Sequence, residues 1–165
     1  MKHVWSPWRL EYLKAPKRDG CVFCHAARSD EDRENLVLLR GERAFLILNR
    51  YPYNNGHFMV VPYAHVPSLE DLEAPVLTEM MLLLNQGLAA LRSAMAPEGF
   101  NIGVNMGRVA GAGIEDHVHI HAVPRWAGDT NFMPVLSETK VVSEALLKTY
   151  NKIRNGLERL EKLKL

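Results

Sequence analysis

Three histidines alternate with apolar residues in the stretch Asp116-His117-Val118-His119-Ile120-His121-Ala122-Val123-Pro124-Arg125-Trp126. Spacing at i, i+2 and i+4 is the period of a strand, so the three imidazoles leave one face while Val118 and Ile120 leave the other. An imidazole titrates near neutral pH and can act as nucleophile, acid, base or metal ligand, and a row of them brings several of these roles together. The whole chain has seven histidines. Three on one edge of one strand therefore call for a chemical reason, since Thr, Lys or Glu would serve equally well on an incidental polar face.

The two cysteines stand close together as Cys21-Val22-Phe23-Cys24. In a chain whose amino terminus, Met1-Lys2-His3-Val4-Trp5-Ser6-Pro7-Trp8-Arg9, lacks an apolar signal core, such a pair is more often a metal half-site or a redox pair than a structural disulfide. Thioredoxin-like chemistry wants the pair between a strand and a helix, and the flanking Lys17 to Gly20 and Arg28 to Asp30 read as loop or short turn. The metal reading is the stronger. Zinc would need two further ligands, for which His25, His57, His65 and His117 are candidates.

Before the histidine row lies the loop Met106-Gly107-Arg108-Val109-Ala110-Gly111-Ala112-Gly113. Its glycines allow close approach of the backbone to a ligand, and successive N–H groups through Gly111, Ala112 and Gly113 can converge on an anion, with Asn105 adding an amide donor.

The elements that must position these residues follow from periodicity. Residues 36 to 40 and 44 to 49 are short apolar runs separated by Gly41-Glu42-Arg43, as in a hairpin, and His57 to Pro62 returns as a third strand after the turn-rich Arg50 to Gly56. From Leu69 to Ala94 the apolar residues Leu77, Met80, Met81, Leu84, Leu88 and Leu91 recur at three and four, which predicts a helix with Pro75 in its first turn and its methionines as core filler. Residues 100 to 105 alternate like a strand. Val142, Leu146, Tyr150, Ile153, Leu157 and Leu160 predict a closing amphipathic helix over 142 to 163. The expected class is α+β, an antiparallel meander sheet of about five strands with a central and a C-terminal helix.

At 165 residues and 47% apolar content the chain fits one domain, 1 to 165, opened by an irregular aromatic lead over residues 1 to 20. A net charge of +1 with both signs interspersed argues against nucleic acid as a partner. No stretch reads as long enough for a membrane span, and a cytoplasmic protein is expected.

The run His117-Val118-His119-Ile120-His121-Ala122-Val123 resembles the signature of the histidine triad superfamily, in which three histidines alternate with apolar residues. Members are nucleotide hydrolases and transferases that work through a nucleotidyl-histidine. The resemblance implies that His119 is the nucleophile toward an α-phosphorus, with a bond from its other nitrogen to a backbone carbonyl, most simply that of His117, fixing its tautomer. It implies that His121 contacts the phosphate or bridging oxygens, that Asn49 meets the ribose, and that His57 stands behind the triad. Cys21, Cys24, His65 in Pro62-Tyr63-Ala64-His65, and His117 are the implied ligands of a structural zinc, ahead of His25. The implied partner is an adenine nucleotide or dinucleoside polyphosphate, and a homodimer or higher homo-oligomer with a continuous sheet is expected.

The loop departs from the commonest family pattern, Asn-x-Gly-x-x-Ala-Gly-Gln-x-Val-x-His, being one residue longer before His117 and lacking the glutamine. Gly113, Arg108 or the backbone would take that role. Together with the Leu48 to His57 stretch and the Arg125-Trp126 ending, these features resemble a bacterial branch that includes diadenosine tetraphosphate phosphorylases, in which phosphate rather than water accepts the nucleotidyl group. The alternative is a nucleotide-binding sensor or partner-binding module with little activity.

Overall fold

A computed structural model describes residues 20–129 and 144–163. The aromatic lead through residue 19 and the start of the expected closing helix at 142 lie outside the described residues. Five strands form one antiparallel sheet: β1 (Val37–Arg40), β2 (Ala44–Leu48), β3 (Phe58–Pro62), β4 (Gly99–Val104) and β5 (Ile120–Arg125), in the order β1-β2-β3-β5-β4. Among the described residues four α-helices accompany it: α1 (Val22–Arg28), α2 (Asp32–Asn35), α3 (Ala74–Met95) and α4 (Leu146–Leu163). This is the expected α+β architecture; β1, β2 and β3 form the meander, while β5 inserts between β3 and β4, so the sheet is not one continuous meander as expected.

The sheet's two faces are distinct because side chains alternate along each strand. Leu48, Phe58 and Ala122 lie in register on one face, beneath α3. The close approach there depends on Gly87, where a Cβ would sit 2.5 Å from Cζ of Phe58. The helix in turn carries α4, and a Cβ on Gly156 would meet the Ala90 carbonyl oxygen at 3.0 Å. Tyr150 donates its hydroxyl to the Val37 carbonyl at 2.9 Å, fixing α4 to β1. Ile47, Met59, His121 and Gly103 share the opposite face.

Several sequence expectations are corrected. The loop or short turn expected at Arg28 to Asp30 lies at the junction of α1 and α2, two helices that the sequence did not predict because they are too short for periodicity to reveal. The central helix begins at Ala74 rather than Leu69, which opens a separate 3-10 turn, Leu69–Asp71. Met80 is buried, but Met81 is exposed and not core filler. At 22 residues, α3 is also long and apolar enough to cross a membrane, contrary to the expectation that no stretch would be. Here it packs between the sheet and α4. Finally, the strand of the histidine row starts only at Ile120, so His117, at a bend, and His119 precede it. Pro62 has no N–H, so the β3–β5 ladder stops at Val60–Ile120, and the Val118 N–H goes instead to the Val66 carbonyl at 2.8 Å.

Candidate active site and metal centre

Backbone groups fix the tautomers of the central histidines. His119 Nδ1 lies 2.8 Å from the carbonyl oxygen of His117. A carbonyl only accepts, so Nδ1 carries the proton and donates it, leaving the lone pair on Nε2. The Tyr53 backbone N–H donates to His57 Nδ1 at 3.0 Å, so the His57 proton sits on Nε2 and is donated to Nδ1 of His121 at 3.0 Å. His121 therefore presents an N–H at its Nε2. The row thus contains one imidazole with an open lone pair and, next to it at 4.6 Å between ring centroids, one with a donor.

Both rings are largely withdrawn from water. His119 is 4% exposed and packs against Phe23 of α1 at 4.8 Å between centroids. Burial lowers its pKa below the usual imidazole value, against the opposing effect of the bond to His117. Burial, aided by the neighbouring His119, pushes His121 down to about 4. Both imidazoles are accordingly neutral at physiological pH.

Of the other expected residues, His57 and Asn49 join the row. Asn49 holds its amide nitrogen 3.3 Å from His57 Nδ1 and accepts the Tyr51 N–H at 2.9 Å, so it is both a turn cap and a neighbour of the site. Asn105 follows β4 directly and is half-buried. The loop behind it turns through Gly107 and Gly111, both at positive φ. In that turn the Gly111 N–H bonds to the Arg108 carbonyl at 3.0 Å and the Ala112 N–H reaches the Gly107 carbonyl at 3.4 Å. Gly113 lines an open cavity with Cys21, His65 and Asp116, on the metal side of the row.

That metal side is a compact donor cluster. Cys21 Sγ lies 3.3 Å and Cys24 Sγ 3.7 Å from Nδ1 of His117, His65 Nδ1 lies 3.2 Å from it, and Cys24 Sγ is 3.3 Å from His65 Nδ1. All four ligand atoms fall within 4.8 Å of one another. His117 Nε2 donates to the Pro62 carbonyl at 2.9 Å, which leaves a lone pair on Nδ1 aimed at the cluster. Converging lone pairs and sulfurs need a cation between them. Metal bonds of roughly 2.0–2.3 Å in a tetrahedron give edges of about 3.3–3.8 Å, close to the separations here, so the set fits zinc. His25 is not in the cluster. With four protein donors no position is left for water, which makes the centre structural.

Sequence reasoning missed three participants. Phe23 covers both His117 and His119, and its place within the Cys-x-x-Cys pair was the only available signal. The Tyr53 N–H and the Pro62 carbonyl are backbone groups and leave no mark on residue identity.

Comparison with known proteins agrees with this geometry. The HIT domain family model matches residues 31–128. The chain is 39% identical over 157 residues to the AP-4-A phosphorylase of Mycobacterium tuberculosis, covering 90% of this chain and 80% of that protein. It is 31% identical over 119 residues to an adenylylsulfatase of Arabidopsis thaliana, covering 68% of this chain and 59% of the relative. Among solved structures, a hypothetical histidine triad nucleotide-binding protein from Sulfolobus tokodaii superposes with a TM-score of 0.68 at 26% identity, covering 86% of this chain and 94% of the other. A Zn-bound histidine triad family protein from Mycobacterium smegmatis has the same fold, with a TM-score of 0.70 at 24% identity over 87% of this chain and 97% of that one.

Proposed function

This chain belongs to the HIT domain family and is an enzyme of that family, and we propose that it cleaves a dinucleoside polyphosphate of the diadenosine tetraphosphate type through a nucleotidyl group held on His119. The observation that carries the reading is the 2.8 Å bond from His119 Nδ1 to the His117 carbonyl, which keeps the Nε2 lone pair open on a neutral ring.

In the first step His119 Nε2 attacks the α-phosphorus. The N–P bond forms as the bond to the bridging oxygen breaks, and the electron pair leaves on that oxygen, which the Nε2–H of His121 meets. ATP departs. An oxygen of inorganic phosphate then attacks the same phosphorus, the N–P bond breaks, and ADP is released as the His119 lone pair is restored. Phosphate as acceptor is supported by the name of the 39% identical relative; water in its place would give AMP.

Asn105 and the Gly111 to Gly113 turn contact the non-bridging oxygens, with Gly113 offering an N–H outside the turn's own bonds. Asn49 holds the ribose. His57 keeps His121 in its donor tautomer. Zinc in the Cys21, Cys24, His65 and His117 cluster fixes α1 over the histidine row and takes no part in the chemistry. The enzyme is a homodimer or higher homo-oligomer. Pairing along β4, a sheet edge whose Asn101, Ile102 and Gly103 are exposed, would extend the sheet.

Incubation with diadenosine tetraphosphate, with and without inorganic phosphate, tests the reading. ATP and ADP formed only with phosphate is the expected result. ATP and AMP would move the acceptor to water, and tight binding without turnover would mark a nucleotide sensor and overturn the assignment.

A further inference from the structure

Tyr53 is half exposed, at 52%, beside the buried rings of His57 and His119. Its main chain is nevertheless fixed. The N–H of Tyr53 is bonded to His57, and the next residue, Asn54, is buried with its amide nitrogen 3.0 Å from the Pro124 carbonyl and 2.8 Å from Asp129 Oδ2. The ring packs on His57 at 4.8 Å and lies 6.0 Å from His121, at an interplanar angle of only 25° to it. The rings of His119, His121 and Tyr53 therefore follow one another along the site.

The order has a chemical consequence. Bond breaking begins at His119, the leaving oxygen is met by His121, and the next surface beyond His121 is an open aromatic face. A neutral phenol has no charge with which to hold a phosphate chain, but its π-face suits a flat heteroaromatic ring. Tyr63, also on this side of the sheet, is already committed, stacked on Phe45 at 5.3 Å with its hydroxyl on the Gly41 carbonyl.

We propose that the Tyr53 ring is the stacking platform for the second nucleobase, the one carried by the departing nucleotide, and so selects dinucleoside polyphosphates over mononucleotides of equal phosphate length. The inference rests on the reading of His119 and His121 given above. Tyr53→Ala keeps the backbone N–H that sets the His57 tautomer and removes only the ring.

The test compares diadenosine tetraphosphate with adenosine 5′-tetraphosphate, which offers the same α-phosphorus and phosphate number without the second nucleoside. The ratio of kcat/KM for the two substrates should fall roughly 5- to 100-fold in Tyr53→Ala, the range of one base–aromatic stack, and recover in Tyr53→Phe and Tyr53→Trp. An unchanged ratio, whether both substrates suffer equally or neither does, overturns the platform. If the wild-type protein turns over neither nucleotide, the functional reading fails separately, and the ratio of the two dissociation constants measured by calorimetry, wild type against Tyr53→Ala, decides on the platform by the same criterion.

Discussion

A phosphorus atom is attacked by an imidazole lone pair and not by an imidazolium, so the protonation state of His119 determines whether the site works. Two features hold it ready: the His117 carbonyl accepts the hydrogen bond from Nδ1–H and so keeps that proton on Nδ1, and burial beneath Phe23 disfavours a second one. His121 is likewise held neutral, at about 4, by burial and by its neighbour His119. Lowered values mean that protons bind only at pH below the ordinary imidazole value of about 6.5. The acid limb of the free enzyme's kcat/KM should therefore have its midpoint below 6.5, with a plateau from there upward through neutrality. A pH–rate profile checks this; a midpoint at or above 6.5 would show that the reacting imidazole is not shielded as described. At this scale the sequence was most informative. The alternation of His117, His119 and His121 identified the row, and the bond to the His117 carbonyl was expected from the need for a fixed tautomer. The identity of the groups that orient His57 and His117 was not legible, because a peptide N–H and a peptide carbonyl belong to every residue type alike.

Between elements, the least legible feature is the most consequential. Helix α1 spans only seven residues, with Phe23 and Ala26 alone buried, so it has no amphipathic period to read. Cys21 caps it and Cys24 lies within it, and the cluster with His65 and His117 ties it to the chain entering β5. Phe23, between the two cysteines, is thereby laid on the histidine row. The pair opens this short helix, although its flanks read as loop or short turn in the sequence, and its nearness to two imidazoles favours a metal over a thiol redox couple. Cys21→Ser should lose zinc and, by loosening α1, lower the melting temperature by roughly 10 °C, the shift expected when a structural metal worth several kcal/mol is lost from a domain of this size. Its kcat at 25 °C should fall less than tenfold, because His119 is oriented by the His117 carbonyl and not by the His117 ring. Metal analysis, calorimetry and kinetics on the same sample check this. Abolished turnover in protein that remains folded would give the metal a direct part in catalysis. Strands and long helices, by contrast, were legible to within a few residues. The exceptions have local causes: Pro62 ends the ladder before His119, and Met81 falls outside the buried stripe of α3.

Taken as a whole, the molecule draws one site from parts distant in the chain. Cys21 meets His117 across 96 residues, and His57 meets His121 across 64. Such pairings have no local signal; family resemblance supplied them, and the sheet order explains them, since β3 and β5 are neighbours and their residues on one face converge. Helices on the opposite face leave that surface to the histidines, α1 and the glycine loop. The account depends on a covalent bond that forms and breaks at one ring nitrogen in this shared space. The most direct measurement is to mix the protein with radiolabelled diadenosine tetraphosphate in the absence of phosphate, quench in alkali, in which a phosphoramidate survives, and map the label by peptide mass spectrometry. An adenylyl group on His119, absent from His119→Ala and discharged on adding phosphate, is the predicted result; turnover with no labelled peptide, or with the label on another residue, would contradict it.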